Sequence, residues 1–126
     1  MEDRTAVINI GGKDYKLLLT TRATKEIAAR YGGIQNLGEK LMKAENFEMA
    51  LDEIVWLIVL LVNQTILVHN LQHPDDKQPE VTPEEVELLT SPFQLAEYKS
   101  AIMETMVKGT KRNVESEPDV KNTVAE

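Results

Sequence analysis

The 126 residues contain no cysteine. That single absence removes disulfides, thiolate nucleophiles and cysteine-ligated zinc, and it suits a reducing compartment. Aromatic residues are scarce as well, with one tryptophan, three tyrosines and two phenylalanines, so any core must be assembled mainly from aliphatic side chains. Positive charge is in the minority: 14 basic residues face 21 acidic ones, for a net charge of −7. This argues against a nucleic-acid backbone or an anionic membrane surface as the main partner. The acids concentrate between Asp75 and Glu87, where six of them surround only Lys77, a pattern expected of a solvated loop and helix start. No apolar leader follows the opening Met1-Glu2-Asp3-Arg4, so a signal peptide is not expected and a cytoplasmic location is.

Motifs of catalysis are also missing. Gly11-Gly12 fits neither the GxGxxG nor the GxxxxGK[ST] spacing and reads as a turn. Ser91, Ser100 and Ser116 lie in no G-x-S-x-G elbow. His69, His73, Asp75 and Asp76 come closest to a metal set, but Pro74 interrupts the helix face that two histidines would share and no third histidine exists. Glu84-Glu85 resembles a carboxylate pair, yet at a helix start acids have the simpler role of facing the positive end of the dipole. The expectation is therefore a protein that is not an enzyme, with no catalytic residue, metal or cofactor.

What the chain does have is a long apolar run. Ile54 to Val62 is aliphatic apart from Trp56, apolar on every side where an ordinary surface helix shows one stripe, and it must be enclosed by its own domain or offered to a partner. A helix from Ile54 to Val68 would rise about 22 Å, short of the roughly 30 Å hydrocarbon core, so a membrane span is not expected. The middle of the run should be core, with thinner coverage near Phe47 and beyond Asn63. Asn63-Gln64-Thr65 matches a glycosylation sequon but, inside such a helix, reads better as polar residues bonded to a neighbour or marking where the helix meets water. Met42, Met49, Met103 and Met106 at helical spacing read as ordinary core.

Around that run the elements follow from local rules. Ala6–Ile10 and Tyr15–Leu19 flank Gly11-Gly12-Lys13-Asp14 and predict a hairpin. Thr21 is placed to cap a helix bearing Ile27, Ala28 and Tyr31 that stops at Gly32-Gly33. Ile34, Leu37, Leu41 and Met42 suggest a short second helix, and Asn46 a cap for the long third, running to Val68. Residues 69–79 read as a loop. Thr82-Pro83-Glu84-Glu85 and Ser91-Pro92-Phe93-Gln94 are two capping boxes. The first opens a short helix through Val86, Leu88 and Leu89. The second opens a longer one with Phe93, Leu95, Tyr98, Ile102 and Met106 inward, ending near Gly109. The fold class is thus α+β, mostly α: an N-terminal two-stranded hairpin packed on four or five helices. Residues 1–109 form the single domain, and 110–126, with only three scattered valines among charges, are expected to be a flexible tail.

The order of these elements resembles a known family. A hairpin written Ile8-Asn9-Ile10-Gly11-Gly12-Lys13-Asp14-Tyr15-Lys16-Leu17, then a helix closing in Arg30-Tyr31-Gly32-Gly33-Ile34, then amphipathic helices and a polar tail, is similar to the tail assembly chaperones of long-tailed, siphovirus-like bacteriophages and prophages. The likeness spans residues 6–109. It implies a protein of the bacterial host cytoplasm, not retained in the mature virion, that binds and solubilises the tape-measure protein and helps recruit the tail-tube protein. It also implies that a longer form, made by ribosomal frameshifting, can extend the C-terminus. Homo-oligomers are compatible with it. Candidate partner contacts are Phe47, Trp56, Leu60, Ile66, Tyr98, Ile102 and Met106. Two alternatives stand beside this reading: a structural tail-tube or connector subunit whose hairpin pairs between copies, and a small helical adaptor or regulator unrelated to phages.

Overall fold

A computed structural model describes residues 4–33, 35–37 and 47–110, with side chains in the last segment described from Leu51 onward. The order is β1 (Thr5–Ile10), β2 (Lys13–Leu18), α1 (Thr21–Tyr31), α2 (Phe47–Gln72), α3 (Pro83–Leu89) and α4 (Pro92–Thr110). This is the α+β, mostly helical architecture expected. The cap at Asn46, most of the short helix proposed from Ile34 to Met42, and the tail after Thr110 lie outside the described residues, though 35–37 are helical.

The hairpin is tighter than the spacing suggested. Ile10 pairs with Lys13, leaving Gly11 and Gly12 as a two-residue turn with φ of 59° and 87°. Two consecutive positive φ values define the turn whose twist matches a right-handed pair of strands, and glycine adopts them without strain. The Asn9 side chain secures the outside of the turn, accepting from Gly12 N–H at 3.1 Å and donating to Asp14 at 2.9 Å. Because β-strand side chains alternate, Ala6, Ile8, Ile10 and Leu17 fall on one face and are buried.

That face meets α2 and α4, which together form the rest of the core. Ile54, Leu57, Ile58 and Leu61 of α2 and Leu95, Tyr98 and Ile102 of α4 join the hairpin residues in one cluster. Leu57, Ile58 and Leu61 have no exposed surface, so the middle of the apolar run is enclosed. Ala23 and Ile27 seal one side from α1. Thr20, not Thr21, caps α1: its hydroxyl accepts from Ala23 N–H at 3.0 Å, which places Thr21 as the first helical residue. Gly32, at φ 87°, closes the helix as expected.

Helix α2 is longer than the sequence suggested, continuing through His69 to Gln72. Polar residues there are engaged by the following loop: Asn70 accepts from Gln78 N–H at 2.8 Å and donates to Gln78 O at 3.0 Å. Leu51–Gln72 is consequently long and apolar enough to cross a membrane by length and composition, which corrects the length argument made from Val68, while half of its most apolar window is buried in the domain. Both capping boxes are formed. Thr82 Oγ1 accepts from Glu85 N–H while Glu85 accepts from Thr82 N–H, and Ser91 and Gln94 exchange the same pair of bonds. The inward face assigned to α4 needs one correction: Phe93 is 74% exposed, because in the first turn it points away from the face that Leu95 and Tyr98 share.

Helices contact both outer edges of the hairpin at particular carbonyls. A two-residue turn makes Ile10–Lys13 a hydrogen-bonded pair, so Thr5, Val7 and Asn9 on β1 and Lys16 on β2 direct their backbone groups outward. Tyr98 Oη donates to Asn9 O and Lys108 Nζ to Thr5 O at 2.9 Å, both from α4. On the other edge Thr65 of α2 donates to Lys16 O at 2.8 Å. A two-stranded sheet is marginal alone, and here helices supply what neighbouring strands would.

Candidate functional site

The third residue of the polar interruption in α2 serves that edge, and the first two organise the core. Asn63 is 7% exposed and faces the extended backbone at Val81. Its Oδ1 accepts from Val81 N–H at 2.7 Å and its Nδ2 donates to Val81 O at 2.9 Å. One amide side chain thus mimics a strand partner for an isolated residue, and it anchors the loop that leads into α3. Gln64 donates to Leu60 O at 3.2 Å and accepts from the Thr20 hydroxyl. The same hydroxyl therefore caps α1 and ties it to α2. Of the two roles expected for these residues, hydrogen bonding to neighbours is the one found.

Beside Asn63 the α1–α2 junction opens into a shallow depression of about 340 Å³ walled by Arg22, Trp56, Val59, Leu67, Glu80 and Pro83. Trp56 is half-buried at its edge. Its ring stands edge-on to Tyr31, with centroids 6.0 Å apart, and the Arg30 guanidinium lies 4.5 Å from its centre. Glu53 joins the three: Arg30 donates to both of its oxygens, at 3.2 and 3.3 Å, and Tyr31 Oη donates to Oε1. Glu53 lies one helical turn before Trp56, so a single face of α2 presents both groups to the end of α1. The bond to Glu53 raises the Arg30 pKa above its ordinary value. Burial, reinforced by the Glu53 hydrogen bond, pushes the Tyr31 phenol well above its own. These shifts stabilise the ion pair and keep the phenol protonated. They position no proton donor or acceptor for a reaction.

Toward the end of α2 the cover thins. Ile66 and Leu67 are half-buried, Val68 is 36% exposed and Leu71 83%. This agrees with the thinner coverage expected beyond Asn63. Two connected grooves of about 930 and 500 Å³ flank that stripe and share Thr20 and Val68. The larger runs to the open end of the hairpin, where Leu18 and Leu19 meet Ala28 of α1 and Gly109 of α4. Helix α4 approaches so closely there that a Cβ on Gly109 would sit 2.6 Å from Leu19.

The candidate contacts divide accordingly. Leu60, Tyr98, Ile102 and Met106 are buried, the most exposed being Leu60 at 8%, so in this conformation they hold the domain together and present nothing to a partner. Trp56 and Ile66 retain accessible surface. The Phe47 side chain lies outside the described residues. Sequence reasoning missed the Arg30–Glu53 pair, 23 residues apart, and no local pattern signals it. His69 and His73 stack with centroids 4.6 Å apart, but each ring is bonded to a carbonyl, of Asp76 and of His69 respectively. Among the described residues no group of three histidines or acids could hold a metal ion.

Comparison with known proteins finds no family model that matches the chain, and no curated protein or solved structure with significant similarity to it.

Proposed function

We propose that this protein is a non-enzymatic tail assembly chaperone of a long-tailed phage or prophage, acting in the host cytoplasm. It binds amphipathic helical segments of the tape-measure protein, keeps that protein soluble and helps recruit tail-tube subunits to it. What supports the reading beyond the family resemblance is one observation: α2 carries the all-round apolar run Ile54–Val62, and among the described residues Trp56, Val59 and Leu67 on its α1 side remain only half-buried. An amphipathic helix laid there would bury the exposed parts of Trp56, Val59 and Leu67 in the helix-in-groove manner.

The tail-tube alternative requires a hairpin edge free to pair with another copy. Outward carbonyls on both strands already accept bonds from Tyr98, Lys108 and Thr65, so strand addition would first have to displace α4 or α2. That observation favours the chaperone reading. Co-expression with the tape-measure protein of the same tail operon tests it. The expected result is a large gain in soluble tape-measure protein and its recovery in complex with this chain. No gain in solubility would refute the proposal, as would finding the chain as a stoichiometric component of purified virions.

A further inference from the structure

Two exposed apolar surfaces of opposite electrostatic character lie at opposite ends of the hairpin. At the open end, the connected grooves place Val68 and Leu71 among Arg4, Arg22, Lys25 and Lys77, with no carboxylate among the described residues of either lining. Four cations without an acid are unexpected in a chain of net charge −7. Among the described residues none of the four takes part in an ion pair. At the turn end, the corner between α3 and α4 exposes Leu88 (74%), Leu89 (52%) and Phe93 (74%). Exposed carboxylates of Glu84, Glu87 and Glu97 surround them. Leu89 packs against the hairpin turn, its Cδ1 lying 3.1 Å from where a Gly11 Cβ would be, so the corner is held at that end.

Strands of six residues separate the two ends by about 20 Å. A single copy therefore cannot fold its own corner into its own groove. We propose that the α3–α4 corner of one copy docks in the basic groove of a second copy, Leu88 and Phe93 covering Val68 and Leu71 while Glu84, Glu87 and Glu97 meet Arg22, Lys25 and Lys77. Both halves of this contact are present on the same chain with matched polarity and opposite charge. Such an interface is heterologous: each added copy leaves one groove and one corner open, so association proceeds head to tail into a ring or an open chain. The inference does not rest on the chaperone reading, because it invokes only this chain.

Sedimentation of the purified full chain tests it. The weight-average mass should rise with concentration past that of a dimer, and fall as salt is added, because the charges are exposed and screened within about 8 Å at physiological ionic strength. A corner variant (Leu88→Ser with Phe93→Ser) and a groove variant (Val68→Ser with Leu71→Ser) should each be monomeric, self-association falling at least about tenfold. Mixing the two should restore a one-to-one heterodimer that grows no further, since each supplies the surface the other has lost; this also shows that both variants are folded. A wild-type chain that stays monomeric at every concentration would overturn the proposal. So would a groove variant that self-associates as well as wild type, which would mean a symmetric corner-to-corner contact, or a mixture of the variants that fails to pair although both retain wild-type circular dichroism.

Discussion

Replacing Asn63 should cost several times more stability than replacing Thr65 two residues further along α2. Its amide carries both hydrogen bonds available to the Val81 backbone, at 2.7 and 2.9 Å, and the two residues are 7% and 6% exposed. Asn63→Leu keeps most of the side-chain volume but leaves one N–H and one C=O with neither partner nor ready access to water. Each such orphaned group costs about 1–3 kcal/mol, so the total should fall near 2–5 kcal/mol. For a domain of this size a loss of 1 kcal/mol lowers Tm by roughly 3–5 °C, which puts the expected drop between about 6 and 25 °C. Thr65→Ala provides the scale, since it removes one bond, to Lys16 O, from a partly exposed site where loss should stay below about 1 kcal/mol. Thermal and urea unfolding followed by circular dichroism would measure both. An Asn63→Leu protein as stable as wild type would show instead that the loop leading to α3 needs no anchor on α2.

Other consequences follow from single contacts. Gly109→Ala should destabilise by about 1–3 kcal/mol in chemical denaturation, because the new methyl would overlap Leu19 at 2.6 Å; helix propensity alone favours alanine by about 1 kcal/mol, so a stabilised variant would refute the contact. Ser91→Ala and Thr82→Ala should each cost about 1 kcal/mol through loss of a cap, measurable as a lower urea midpoint with unchanged slope. Burial and the Glu53 bond raise the Tyr31 pKa in the folded chain, so its contribution to stability is complete below the unfolded phenol value of about 10 and disappears as pH rises through the folded one. Burial also raises the Tyr98 pKa, so ultraviolet titration should show two late-titrating tyrosines, one of them absent from Tyr31→Phe, and that variant should lose less stability than wild type between neutral and strongly alkaline pH.

Features governed by neighbours in sequence were legible before the structure. Thr82–Glu85 and Ser91–Gln94 satisfy their caps within four residues, and Gly11-Gly12 can supply consecutive positive φ wherever it occurs. The enclosed middle of α2 was readable because no helix apolar on every side can face water. Boundaries set by distant contacts were not readable. Thr20 displaces Thr21 as the cap because Gln64, 44 residues away, accepts its hydroxyl proton, and α2 outlasts Val68 because Asn70 is clasped by Gln78 eight residues on. Phe93 shows the limit of periodicity, since an aromatic at helical spacing was assigned inward and stands largely in solvent. For the candidate site the sequence pointed to α2 and to thinner cover beyond Asn63, where Val68 and Leu71 stand exposed. It could not separate Leu60, Tyr98, Ile102 and Met106, which the hairpin and helices bury, from Trp56, which α1 leaves partly open.

Under the proposed function, the Trp56–Leu67 flank of α2 receives an amphipathic helix of the tape-measure protein. Trp56 is the only tryptophan in the chain, so its emission reports on that flank when a tryptophan-free helical segment of the tape-measure protein is titrated in. Docking of the segment should give a saturable blue shift with loss of quenching by added acrylamide, abolished by Val59→Asp and preserved in the Leu88→Ser, Phe93→Ser variant. Emission that stays unchanged while the segment demonstrably binds, or an absence of binding at any concentration, would contradict it.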